Sequence, residues 1–144
     1  MCYLVLLGTD STDDLSHHDG GSVAFSREMP GPVVGLLTLP HAWFVSVGSC
    51  SCGLRHLHRD SVALGFGEPV DWFPEAEEDL DATRHVAQTI RRLLHQGAAV
   101  ECVDIWEDSA GTERPLETLV VNLRSVSDAE FRFFEGYRFV FVEE

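Results

Sequence analysis

Two cysteines of this 144-residue chain stand one residue apart, at Cys50 and Cys52, where an apolar run ends. His56 and His58 follow just downstream. Two thiols with this spacing at the end of a strand can face one ligand, and the neighbouring glycines permit the tight backbone turn that this requires. Thiolate and imidazole ligands together favour zinc. The segment therefore predicts a metal-binding or structural site at this Cys-x-Cys corner.

Two sets of metal ligands fit this prediction, and the spacing alone does not choose between them. The local set lies within nine residues of the chain: Cys50, Cys52, His56 and His58. The long-range set ties the first predicted strand to the third: Cys2, His41, Cys50 and Cys52. A purely structural role, as small and partly buried thiols near surface histidines, is a further interpretation.

Cysteine-dependent catalysis is the main alternative. A disulfide between Cys50 and Cys52 would close a small, strained and therefore easily reduced ring, although thioredoxin-like pairs have two intervening residues. Removal of Met1 would instead make Cys2 an N-terminal nucleophile whose own amine serves as the base. The catalytic residues stay unassigned, because nothing in the spacing decides between these two chemistries.

Charge and hydropathy exclude several functional classes. The chain has 24 acidic against 10 basic side chains, a net charge of −14 at pH 7, which opposes binding to nucleic acid or to an anionic membrane. No apolar stretch approaches the roughly 20 residues of a membrane span, and the N-terminal apolar run lacks the basic start of a signal peptide. All ten basic residues are arginine, which excludes Schiff-base chemistry and a P-loop lysine. We expect a soluble, cytoplasmic protein.

The acidity is concentrated in residues 68–81, which contain seven carboxylates and no arginine. We interpret this run mainly as the entrance of a helix, and we expect Trp72 and Phe73 to anchor that helix to the sheet. A module that presents the Trp72 segment to a basic protein partner is an alternative, and a homo-oligomer is another.

These residues must be positioned by a small number of elements. The i, i+3/i+4 spacing of apolar residues predicts one long helix over about 75–96. Apolar runs predict strands over 2–8, 42–47, 99–106, 116–126 and 137–142, with a weak edge strand near Val23 and Phe25. We expect 99–106 and 116–126 to form a hairpin through a loop over 107–115, and a capping box to start a short helix near 127–134. The length favours one domain over residues 1–144, with an α+β fold whose mostly antiparallel sheet carries the long helix on one face.

Two short blocks of the chain resemble a family of uncharacterised bacterial proteins. The first is Met1-Cys2 with the apolar strand that ends in Leu7-Gly8-Thr9. The second runs from Pro40-His41 through aromatic residues to Val47-Gly48-Ser49 and Cys50-Ser51-Cys52-Gly53, with Leu54 where the family usually has an aromatic residue. The resemblance implies that Cys2, His41, Cys50 and Cys52 form one constellation, and it implies no reaction.

Overall fold

A six-stranded mixed sheet forms the centre of the fold. The computed structural model describes residues 2–30, 35–106 and 116–144. Its strands, in chain order, are β1 (Tyr3–Thr9), β2 (Val23–Ser26), β3 (His41–Val47), β4 (His56–Leu57), β5 (Val100–Trp106), β6 (Glu117–Asn122), β7 (Phe133–Phe134) and β8 (Tyr137–Val142). The main sheet has the order β2-β3-β1-β5-β8-β6, and β4 pairs with β7 separately. Within the main sheet only β6 and β8 are parallel, so the predicted α+β class with a mostly antiparallel sheet is confirmed.

One long helix, α1 (Glu77–His95), covers one face of this sheet. Its buried positions recur at helical spacing: Ala82, Thr83, Val86, Ala87, Thr89, Ile90 and Leu93. They pack against sheet residues that include Val5, Leu7 and Phe139. Ala76, whose backbone is still extended, is the N-cap, so the helix begins two residues later than predicted. Among the described residues, no helix combines the length and the apolar character that crossing a membrane requires.

The opposite face of the sheet has its own apolar cluster. Leu4, Leu6 and Val103 are almost fully buried there, and Cys2 packs at the edge of the cluster. Because alternate residues of a strand point to opposite faces, β1 is buried on both sides. Burial on both sides explains why the sequence of β1 is a continuous apolar run. Cys2, the residue before β1, packs against the same cluster.

The predicted hairpin of residues 99–106 and 116–126 is not formed. Strand β8 lies between β5 and β6, and β6 pairs with β8 in parallel, with Val120 opposite Val140. Half of the residues of β6 are exposed, including Val120 at 67%, which suits an edge strand, whereas β8 buries every second residue. Burial of β8 in the core therefore outweighs direct pairing of β5 with β6, which are closer in sequence. The loop predicted over 107–115 lies outside the described residues.

The segment predicted as a short helix near 127–134 forms a single turn instead. The capping-box contact is present, since the Ser127 amide donates to Glu130 Oε1 at 3.0 Å. The chain then becomes extended, because the amides of Phe133 and Glu135 donate to the carbonyls of Arg55 and Leu57. That pairing, together with burial of the phenylalanines, ends the turn.

Trp72 and Phe73 do not anchor the helix to the sheet as the sequence suggested. Trp72 is 69% exposed and Phe73 is 39% exposed, and their rings contact each other edge to face. The aromatic pair therefore lies on the surface, just before the helix entrance.

Candidate metal centre

The corner that carries Cys50 and Cys52 is a tight reversal at the end of β3. Gly48 adopts a positive φ of 76°, and the Val47 amide donates to the Cys50 carbonyl at 2.7 Å. A Cβ atom at Gly53 would lie 2.6 Å from Val47 Cγ1. Both glycines are thus needed, one for its backbone conformation and the other for the close approach of the chain to β3.

Ser51, between the two cysteines, fastens this corner to the sheet. Its amide donates to the Tyr3 carbonyl at 3.0 Å. Its Oγ accepts from the Val5 amide at 2.8 Å and donates to the Val45 carbonyl at 2.5 Å. Ser51 is fully buried, so these hydrogen bonds are shielded from water. The contacts with the start of β1 bring the corner next to Cys2.

The result is a cluster of three thiols, Cys2, Cys50 and Cys52, which we call the cysteine cluster. Their Sγ atoms all lie within 4.8 Å of one another. Cys52 is exposed and the other two are half-buried. Tetrahedral zinc with Zn–S bonds of about 2.3 Å separates its sulfur ligands by roughly 3.8 Å, so small inward shifts would complete a site. Within residues 2–30, 35–106 and 116–144, the cluster contains these three ligands and no fourth Cys, His, Asp or Glu.

The surroundings of Cys2 and Cys52 raise the pKa of both thiols and so favour their protonated forms. The hydrogen bond to Cys50, followed by burial and by Cys52, raises the pKa of Cys2 to about 12. Burial, followed by Cys50, raises the pKa of Cys52 as well, and the Tyr3 amide, which donates to Cys52 Sγ at 3.2 Å, only partly opposes this. Neighbouring thiolates repel one another, which favours the protonated thiols. A bound cation would offset this repulsion, so its binding would release the thiol protons.

His41 lies away from the cysteine cluster. It pairs with Thr9 at the far end of β1, whereas Cys2 precedes the first residue of that strand. His41 is the first of the seven residues of β3 and the corner follows the last, so the strand spans about 20 Å between them at the usual rise. The structure thus brings together three of the four residues in the long-range ligand set and leaves His41 out.

The two downstream histidines also have other roles. His58 is exposed and its Nδ1 accepts from the Asp60 amide at 3.2 Å, which caps a short 3-10 helix. The His56 side chain is buried, and both of its ring nitrogens face oxygen atoms: Nδ1 lies 2.8 Å from Asp104 Oδ2, and Nε2 lies 2.6 Å from the Ser51 carbonyl. Because a carbonyl oxygen can only accept, Nε2 donates a hydrogen bond and is not available as a metal ligand or as a base for Cys52.

His56 instead stabilises the Cys-x-Cys corner through its contacts with Ser51 and Tyr3. Burial lowers the pKa of His56, but the charge of Asp104 and the hydrogen bonds to Asp104 and Ser51 outweigh it and raise the pKa overall. The imidazole ring also stacks on Tyr3, with centroids 4.2 Å apart and planes at 4°. The buried pair of His56 and Asp104 therefore positions the Ser51 carbonyl and Tyr3, whose amide donates to Cys52 Sγ.

Sequence reasoning did not identify Asp104, Ser51 or Tyr3 as parts of this site. The one available signal was Asp104 itself, a carboxylate within an otherwise apolar strand. A fully buried acid needs a partner, which would have directed attention to a nearby histidine.

A cleft of about 260 Å³ opens beside the cluster. Cys52 lies in its wall together with His56, and the entrance of α1 contributes Glu75 and Asp79 on another side. Of the three thiols of the cluster, Cys52 is the one that lines this cleft.

The chain matches no family model, no curated protein and no solved structure.

Proposed function

We propose that the protein binds a soft metal ion, zinc in the first instance, through Cys2, Cys50 and Cys52. The observation that carries this proposal is the convergence of three Sγ atoms, from opposite ends of a 50-residue stretch of chain, within 4.8 Å of one another. Ser51 and His56 prearrange the corner, so little ordering is needed when the ion binds.

Among the described residues three ligands converge, which differs from a closed structural zinc site with four protein ligands. Three protein ligands leave one coordination position for water or a substrate. The exposure of Cys52 and the adjacent cleft support access to that position from solvent. The resemblance to the uncharacterised bacterial family supports the same three cysteines, and we propose membership of that family on the same residues.

Metal analysis of untagged protein tests the proposal. We expect zinc near one equivalent per chain. Cobalt in place of zinc should give the strong sulfur-to-metal charge-transfer bands and the visible absorption of a tetrahedral thiolate site. Zinc affinity, measured by competition with a chromophoric chelator, should fall at least about a hundredfold in Cys50→Ser and Cys52→Ser, because each removes a thiolate ligand.

Cys102 supplies the matched control, since it is the remaining cysteine and is buried in the core away from the cluster. Cys102→Ala should keep zinc stoichiometry and cobalt spectrum. The proposal is wrong if zinc and cobalt fail to bind the wild-type protein, or if Cys52→Ser binds both as Cys102→Ala does.

A thiol–disulfide pair is the second candidate function, favoured by the exposure of Cys52 beside two further thiols. Oxidation by a peroxide would join two sulfurs, with loss of two protons and two electrons, and would reduce the peroxide to water. Intact mass after mild peroxide treatment, with and without zinc, tests it. A loss of two mass units that dithiothreitol reverses supports the redox pair, and unreactive thiols in the metal-free protein contradict it.

A further inference from the structure

A second recess, distinct from the cysteine cluster, lies in front of the helix entrance. We call it the Trp72 groove; it has a volume of about 260 Å³ and is lined chiefly by Leu64, Phe66, Val70, Trp72, Phe73 and Arg132. The Phe73 amide donates to the Val70 carbonyl at 3.1 Å, and this tight turn holds Trp72 outward. Leu64, Val70, Trp72 and Phe73 are 47%, 44%, 69% and 39% exposed. These four are most of the strongly exposed large apolar side chains among the described residues, so the apolar surface is concentrated here.

Two exposed acidic side chains lie beside this apolar surface. Glu68 lies in the groove wall, and Asp71 lies in the turn next to Trp72. The basic residue in the wall, Arg132, is 6% exposed, and its NH2 group donates to the Gly67 carbonyl at 2.9 Å. The solvent therefore meets an apolar floor with a negative rim.

The charge decides which kind of chain fits. A second copy of this protein carries the same net charge of −14, and nucleic acid and anionic membranes carry the same sign, so the negative rim repels all three. We propose that the Trp72 groove docks a segment of a partner protein that combines apolar side chains with lysine or arginine. The apolar side chains contact Trp72 and its neighbours, and the basic side chains face the acidic rim.

The groove and the cysteine cluster can be tested separately. The groove shares Phe73 and Glu75 with the cleft beside Cys52, but no cysteine lines it. Docking does not depend on the proposed metal function, and substitutions at Trp72 leave the thiols unchanged.

Selection from a random peptide library displayed on phage tests the docking proposal on the full chain. We expect peptides enriched on the wild-type protein over Trp72→Ala to carry a net positive charge together with aliphatic or aromatic residues. After synthesis, these peptides should bind about tenfold or more weakly to Trp72→Ala, as is typical of an aromatic anchor. Their affinity should also fall with added salt and in the double variant Glu68→Gln, Asp71→Asn.

Matched controls use equally exposed residues elsewhere. Val120→Ala removes apolar surface from an edge strand that is 67% exposed at that residue, and Asp13→Asn with Glu28→Gln removes two exposed charges outside the groove. Both controls should bind the selected peptides as the wild type does. The proposal fails if no peptide prefers the wild type over Trp72→Ala, or if the selected peptides are acidic. It also fails if sedimentation shows a dimer that Trp72→Ala abolishes, since the groove would then receive a second copy.

Discussion

At the scale of single residues, Ser51 is the side chain that connects the Cys-x-Cys corner to the sheet. Its amide, hydroxyl and carbonyl each form a hydrogen bond, to Tyr3, to two sheet residues and to His56. The cysteines supply the sulfur atoms of the cluster, but Ser51 determines the position of two of them, Cys50 and Cys52. It is therefore a positioning residue, and its effect should extend to both stability and metal affinity.

We predict that Ser51→Ala lowers the free energy of unfolding of the metal-free protein by about 1–3 kcal/mol. The hydroxyl is lost while the Val5 amide and the Val45 carbonyl stay buried without a partner. Zinc affinity should fall by about 10- to 100-fold, the usual effect of a residue that orients metal ligands. Urea denaturation with a reductant and a chelator measures the first effect, and competition with a chromophoric chelator measures the second.

Ser125→Ala is the comparison, because Ser125 is exposed in a surface turn. It should change stability by no more than about 0.5 kcal/mol and leave zinc affinity unchanged. Equal behaviour of the two variants would remove Ser51 from the site.

At the scale of elements, the entrance of α1 is held by a buried arginine that follows the cysteine corner. Arg55 forms two hydrogen bonds with Glu75, each 2.8 Å long, and donates to the carbonyls of Gly67, Ala129 and Phe131. One side chain thus joins the loop at Gly67 and the turn at residues 129–131 to the helix entrance. The acids around the helix entrance are accordingly not equivalent, since Glu75 is paired whereas Glu77 and Glu78 are exposed.

We predict that Glu75→Gln lowers the free energy of unfolding by about 1.5–3 kcal/mol at neutral pH, because it weakens charge-assisted hydrogen bonds between nearly buried groups. The hydrogen bond from Arg55 holds the pKa of Glu75 below its usual 4.5. A lowered native pKa means that this stabilisation is complete above about pH 4.5 and is lost as the pH falls through the native value. Urea denaturation from pH 7 downward should therefore show the difference between wild type and variant shrinking below pH 4.5.

Glu77→Gln provides the reference for a helix-dipole effect alone. Glu77 is exposed in the first turn of α1, so we expect a loss of about 0.3–1 kcal/mol. A loss at Glu75 no larger than this, or a difference that grows as the pH falls, would contradict the role of the Arg55 pair.

At the scale of the whole molecule, the order of strands in the sheet determines which regions unfold locally and which unfold only with the whole chain. β1 and β5 occupy the centre and pair along seven residues, whereas β2 and β6 are the edges. The cysteine cluster is attached to the start of a central strand. The cysteine cluster therefore lies beside the centre of the sheet, while the Trp72 groove lies in loops beyond the sheet.

We predict that native-state hydrogen exchange is slowest in β1 and β5. Their amides are paired within a sheet that is buried on both faces, so exchange there requires global unfolding. The amides of Leu6 and Val103 should approach the free energy of unfolding measured with urea, and that of Val120 should exchange by local opening with a clearly lower value. Exchange at Val120 as slow as at Leu6 would show that β6 is not an edge in solution.

The local elements and part of the site follow from the sequence alone. Helix α1 was predicted within two residues because periodicity, the acids of the first turn and Gly97 are all local signals. The Cys-x-Cys corner was identified for the same reason, since its spacing and glycines describe a turn directly. Cys102 is fully buried, in agreement with its position inside an apolar strand.

Tertiary structure decided which distant residues meet. Antiparallel pairing of β1 with β3 brings the start of β1, and with it Cys2, to the corner, and sends His41 to the opposite end beside Thr9. The tertiary structure also places β8 between β5 and β6, and it brings His56 into contact with Asp104. A period-two pattern tells which residues of a strand are buried but not which strand lies alongside, because that choice depends on the burial of all the strands at once. The sequence therefore determined the ligand chemistry, and the pairing of strands determined that three thiols share one site.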